Sequence, residues 1–143
     1  MLYRHILAAY DGSPQAKKAL GQAIRLAEAG GGTKLTVIYA VNLQPVVAGD
    51  MLFAPTPAVA RTAMERAEEA LREAEARTAH LVRVKVELAT GLPAKVILAE
   101  AEDRGCDLIV IGRRGHGAIG DLVLGSVSHQ VVQGAKVPVL VVK

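Results

Sequence analysis

HILAAYDGSPQAKKALGQAIRLAEAGGGTKLTVIYAV, residues 5–41, spells a strand, a helix and a second strand in succession. HILAAY (5–10) is a short, nearly continuous apolar run, the pattern of a strand buried on both faces. Ser13 can cap a helix, and Pro14 suits its first position. Ala16, Ala19, Leu20, Ala23, Ile24 and Ala27 then recur at helical spacing and form one apolar stripe. Gly30-Gly31-Gly32 stops that helix. KLTVIYAV (34–41) returns to a β-branched run.

The alternation continues outward. RVKVELA (83–89), DLIVIG (107–112) and VPVLVV (137–142) read as three further strands. The spacing predicts helices from about Val59 to His80, from Pro93 to before Gly105, and from Gly125-Ser126 to before Gly134. In the second helix Ala63, Ala67, Ala70, Leu71 and Ala74 line one face. The pairs Arg61–Glu65, Glu68–Arg72 and Glu73–Arg77 lie on the other. Strict alternation of strand and helix gives an α/β fold: one domain over 1–143, a doubly wound five-stranded parallel sheet with helices on both faces. The expected strand order is 3-2-1-4-5, with a switch point between the first and fourth strands. Ligands bind there, at the carboxyl ends of the strands. Residues 42–58, NLQPVVAGDMLFAPTPA, are too long and irregular for an ordinary connection. They leave the second strand beside that crevice and read either as a lid over a ligand or as a surface insertion.

Composition narrows the setting. A single cysteine, Cys106, excludes an internal disulfide and fits a reducing compartment. No stretch approaches the roughly 20 apolar residues of a membrane span. The opening MLYRHILAAYDGS lacks the apolar core and cleavage pattern of a signal peptide. A soluble, cytoplasmic protein is expected. Seventeen Lys and Arg against 14 Asp and Glu give a net charge of +3, with bases spread among acids. One Phe, three Tyr and no Trp leave little for stacking bases, so a nucleic-acid partner is not expected.

The chemistry concentrates in GRRGHGAIGDLVLGS, residues 112–126. Five of its first 14 positions are glycine, where average usage of about 7% gives one. The segment follows a buried strand and runs into a helix, where bare N–H groups and the positive end of a helix dipole can hold phosphates. Ser126 adds a hydroxyl, and Arg113, Arg114 and His116 add charge or donors. The plainer reading is a flexible glycine loop with no ligand. No Gly-Lys-Ser/Thr occurs, so there is no Walker loop. Gly115 to Gly120 matches G-x-G-x-x-G, but it follows the fourth strand, lacks an acid about 20 residues on, and leaves too little chain for a second nucleotide half. No G-x-S-x-G elbow is present either.

Gly112-x2-Gly115-x9-Gly125-Ser126 resembles the nucleotide motif of the universal stress protein family, in its ATP-binding branch. ILAAYDGS (6–13) and VPVLVVK (137–143) resemble that family's first and last strands, and Gly91-Leu92-Pro93-Ala94 its turn into the third helix. The resemblance covers the whole chain and is weakest at 42–60. It implies that Asp11 contacts the nucleoside, with Ala9 and Tyr10 in the adjoining pocket. It implies that the backbone of Ala40 reads the adenine edge and that Ile111 lies against the nucleoside. Gly112, Arg114 and Gly115 would line the near side of the phosphates, with His116 beside them. Gly125, Ser126 and Val127 would offer N–H groups and one hydroxyl. Two features depart from the pattern: the bulky, basic Arg113-Arg114, and Tyr10, a side chain able to crowd the base.

The function so implied is a stress-response regulatory protein that binds ATP, or ADP or AMP, with Mg²⁺. No catalytic residue is assigned. The loop holds no Glu or Gln to act as general base, and the nearest candidates are Asp121 and His129, so efficient hydrolysis is not expected. The alternatives are a slow ATPase or nucleotidyl-transferring enzyme, and a structural dimer that binds no nucleotide. Elsewhere no residues have metal-ligand spacing. His5 and His80 read as ordinary strand and helix-end residues, Cys106 as a packing residue, and Asp103, Asp107 and Asp121 as turn or capping residues without an evident partner. The last strand, Val137–Val142, falls at a sheet edge and is apolar up to Lys143, which favours pairing with a second copy into a homodimer. Pro138 is tolerable at such an edge.

Overall fold

Strands and helices alternate along the chain as the apolar pattern requires. The computed structural model describes residues 2–114 and 124–143. In chain order the elements are β1 (His5–Ala9), α1 (Pro14–Ala29), β2 (Lys34–Val41), β3 (Val46–Ala48), β4 (Met51–Phe53), α2 (Pro57–Thr78), β5 (Val84–Thr90), α3 (Pro93–Asp103), β6 (Leu108–Gly112), α4 (Ser126–Gly134) and β7 (Val139–Val142). The main sheet runs β5-β2-β1-β6-β7, and every pairing in it is parallel. This is the expected order, with β5, β6 and β7 as the third, fourth and fifth strands of the sheet.

Side chains alternate across the pleat and divide the core in two. Ile6, Ala8 and Tyr10 face α1 and α2, together with Leu35, Val37 and Val110. Leu7, Ala9, Ile38, Ile109 and Ile111 face α3 and α4. α1 buries Ala16, Ala19, Leu20, Ala23, Ile24 and Ala27, the stripe read from its sequence. Its start is capped by Ser13, whose Oγ accepts the Ala16 N–H at 3.2 Å.

Three local features differ from the sequence reading. α2 begins two residues earlier than expected, because Thr56 caps it by accepting the Val59 N–H at 3.2 Å and Pro57 fills its first turn. On α2, Glu73 and Arg77 reach across to α1: Glu73 pairs with Lys17 at 3.0 Å, and Arg77 Nη1 donates to the Lys17 carbonyl at 3.0 Å. Asp107 does have partners. Its carboxylate accepts the N–H groups of Arg4 at 2.9 Å and His5 at 3.0 Å, tying the start of β1 to the start of β6. Burial pushes this carboxyl up, but those main-chain donors hold it below its ordinary value.

Residues 42–58 contain a hairpin. β3 and β4 pair antiparallel about Gly49-Asp50, with Gly49 at φ +62°. The pattern of two apolar triplets around a Gly-Asp turn was a legible hairpin signal. No described helix is long and apolar enough to cross a membrane.

Candidate functional site

β1 lies between β2 and β6, so the sheet's connections diverge on either side of it at the carboxyl ends. The β1–β2 ladder ends where the Tyr10 N–H donates to the Ile38 carbonyl at 2.9 Å. In β2 the even-numbered residues direct their main chain toward β1 (Lys34 N–H to Arg4 O, 2.9 Å), and the odd-numbered toward β5 (Leu35 N–H to Arg83 O, 2.9 Å). Ala40 is therefore the next residue whose main chain points to the β1 side, past the last rung. The register Ala9↔Ile38 puts it level with Asp11. The register Ala8↔Val110 likewise puts Tyr10 and Asp11 level with Gly112 and Arg113.

Asp11 stands at the tip of the first turn. Its Oδ1 accepts the Ser13 N–H at 2.9 Å, closing an Asx turn that Gly12 completes at φ +79°. Asp11 thus shapes the helix entry at the carboxyl end of the sheet. Its charge is felt by Tyr39: burial pushes that phenol above its ordinary value and Asp11 adds to the shift, while Arg66 opposes it.

Tyr10 does not crowd the carboxyl end of the sheet. Strand alternation turns its side chain into the α1–α2 core, where it is 3% exposed. Burial raises its phenol pKa and Glu73 raises it further, with Lys17 and Arg77 opposing. Only its main chain can line the site. Ala9 and Ile111 are buried on the opposite face, against α3 and α4.

The glycines at either end of the loop have a structural reason that the sequence did not disclose. A Cβ on Gly112 would lie 2.9 Å from the Gln15 carbonyl carbon and 3.0 Å from its oxygen, so glycine lets the first turn of α1 cross the end of β6. A Cβ on Gly125 would lie 3.3 Å from both the Arg113 oxygen and the Arg114 Cα. The Gly125 N–H donates to that Arg113 carbonyl at 2.9 Å, and Ser128 Oγ donates to the same oxygen at 2.6 Å. Arg113 N–H continues the sheet by donating to Val142 O at 2.7 Å. The two ends of the glycine segment are thus fastened at one carbonyl, and Arg114 is 9% exposed beside it.

This fastening corrects one expectation: the Gly125 amide is engaged within the chain. Ser126 and Val127 open α4, and the N–H groups of a helix's first turn have no partner within the helix. Ser126 is exposed at that positive end. Gly115, His116 and Asp121 lie outside the described residues. The His129 side chain is exposed, and its N–H is used by the Gly125 carbonyl at 2.9 Å. Ser128, buried and bonded to both Arg113 O and Gly125 O (3.1 Å), was not anticipated. Its only sequence signal was a hydroxyl three residues into a helix.

The remaining candidates are structural. Among the described residues no three His, Cys, Asp or Glu could hold a metal ion. Cys106 is buried, and burial pushes its thiol up to about 11, far from a reactive thiolate. His5 is buried between Thr36 Oγ1 (2.8 Å from Nε2) and Arg104 O (3.2 Å from Nδ1). His80 pairs with Glu28 at 2.7 Å on the surface.

Residues 2–143 match the model of the universal stress protein family. A universal stress protein of Thermus aquaticus is 41% identical, the alignment covering 99% of this chain and all of the relative. YxiE of Bacillus subtilis, also a universal stress protein, is 33% identical over 99% of this chain and all of the relative. Among solved structures, UspA of Lactobacillus plantarum superposes with a TM-score of 0.80 at 26% identity, covering 99% of this chain and 98% of that one. A universal stress protein in complex with cAMP gives 0.74 at 24% identity, covering 100% and 99%. One from Archaeoglobus fulgidus in complex with dAMP gives 0.71 at 22% identity, covering all of both chains.

Proposed function

The chain belongs to the universal stress protein family, and from that premise we propose that it is a stress-response regulator that binds an adenine nucleotide, ATP foremost, and acts as a homodimer. The observation that carries the reading is the meeting of three main-chain features at one end of the sheet. These are the Ala40 backbone past the last β1–β2 rung, the turn at Asp11, and the first turn of α4 held beside β6 by the Gly125–Arg113 bond. Relatives of the same fold bind cAMP and dAMP, which supports an adenosine monophosphate core as the recognised unit.

In this reading the Ala40 main chain hydrogen-bonds the adenine edge and Asp11 takes a ribose hydroxyl. Ala9, the Tyr10 main chain and Ile111 flank the nucleoside. Gly112, Arg114, Gly115 and His116 border the phosphates, which the Ser126 and Val127 amides and the Ser126 hydroxyl hold. Gly125 contributes by fixing the helix start rather than by its own amide. Mg²⁺ would arrive with the phosphates and keep most of its water, since its ligands need not come from the protein. Without a Glu or Gln in the loop to orient water, the protein binds nucleotide and does not turn it over efficiently.

Calorimetric titration with ATP, ADP and AMP, with and without Mg²⁺, tests this. Saturable binding by the protein, lost in Gly115→Phe with the fold intact, is expected. Unchanged affinity in that variant removes the loop from the site, and steady phosphate release above the blank favours an ATPase. The dimer reading rests on the contrast between the sheet's edges. β5 carries Lys85 and Glu87, whereas β7 carries no charge and leaves Leu140 exposed. Sedimentation at micromolar concentration that finds only monomer ends the dimer.

A further inference from the structure

The β3–β4 hairpin is written for burial and is not buried. Val46, Val47, Met51, Leu52 and Phe53 are each 52–69% exposed, and Val59 on the first turn of α2 is 58% exposed. The other exposed large apolar residues among those described are scattered: Leu2, Val82, Leu92, Val132 and Leu140. Phe53 is the chain's sole phenylalanine, and it sits on the surface. Aromatic residues set in such patches are the usual anchors of interfaces.

The hairpin's pairing discriminates between possible covers. Val46 faces Phe53 and Ala48 faces Met51 on one side, while Val47 faces Leu52 on the other. Both faces are therefore apolar. A hairpin that closed over a ligand as a lid would bury one face and leave the other in water, and a hairpin of that kind keeps a polar outer face. Two apolar faces call for a cover from outside the chain as well.

The chemistry of the segment identifies that cover. From Val41 to Ala60 the sole charged residue is Asp50, at the turn. No charge pattern selects an acidic or basic partner, and nothing along the strands repels an identical hairpin. A two-stranded hairpin is marginal in water, and three or more strands with an apolar face are needed for stability. Two copies packed face to face about a two-fold axis make four strands in two layers, each hairpin covering an apolar face of the other. The six exposed side chains amount to several hundred Å² of apolar surface, on the scale of the ~800 Å² per partner that a specific interface takes.

We propose that the Val46–Phe53 hairpin is a docking surface for the same hairpin of a second copy of this chain, separate from the β7 edge. This proposal does not depend on nucleotide binding. The test is the mass in solution of the full chain and of a Leu52→Asp/Phe53→Asp double variant, by light scattering at micromolar concentration. Both side chains are exposed, so the variant should keep its urea midpoint and far-ultraviolet spectrum. The proposal predicts that the variant has half the mass of the wild type, whether that step is tetramer to dimer or dimer to monomer. Equal masses, or a monomeric wild type, overturn it. Weaker ATP binding at unchanged mass assigns the hairpin to a lid instead, and also overturns it.

Discussion

At the scale of single residues, close chain crossings decide more than ligand contacts. Gly112 must be glycine because the Gln15 backbone lies where a Cβ would go. Replacing it with alanine forces backbone to move, and a loss of about 1–3 kcal/mol is expected in urea unfolding. Ser128→Ala removes a buried donor from the Arg113 carbonyl and should cost about 1 kcal/mol in the same measurement. His5 gives a pH signature. Burial, with the charge of Lys34, holds its imidazole below the ordinary value of 6.5; Arg104 lowers it further, and the Arg104 carbonyl and Asp107 oppose. The unfolded chain therefore takes up the proton first as pH falls. Stability is complete above pH 6.5, declines from there down to the folded-state value, and then levels off. Urea midpoints of the wild type should fall between pH 8 and pH 5.5, and His5→Gln should flatten that part of the curve. His5 and Asp107 read from the sequence as ordinary strand and turn residues and Ser128 carried no reading, because their partners lie 102, 103 or 15 residues away.

At the scale of elements, the legible features were those with a local cause. α1 was readable to the residue, since its cap, its first-turn proline and its stripe all lie within 17 positions of one another. Ser13→Ala should cost about 1 kcal/mol, read as a lower thermal midpoint, because it removes the oxygen that accepts the Ala16 N–H in a buried cap. α2 was readable in its apolar face but not in its charged one. Glu73 and Arg77 are spaced for each other and instead hold α1, a choice only tertiary packing makes. The hairpin at 46–53 was less legible, because prolines at 45, 55 and 57 give the segment the composition of an irregular loop, although Gly49-Asp50 is a turn signal.

At the scale of the whole molecule, alternation of apolar runs sufficed for the sheet order, and the order placed the switch point beside β1. The candidate site was legible in outline, through the glycine spacing and Asp11. Its fastening was not, because the hydrogen bond that pins Gly125 to Arg113 links the two sides of a loop. The same bond divides the labour at α4: Gly125 holds the helix start, and Ser126 and Val127 present it. If nucleotide binds only the folded chain, ATP at 100 times its dissociation constant should add about 2.7 kcal/mol to stability, visible as a concentration-dependent rise in thermal midpoint.

The most direct measurement is a ¹⁵N-resolved NMR titration of the protein with ATP. The main-chain N–H resonances of Ala40, Ser126 and Val127 should move most, and that of Gly125, already bonded to Arg113, distinctly less. A spectrum in which these amides stay fixed at saturating ATP, or in which the shifts gather at a different part of the sheet, would contradict the account.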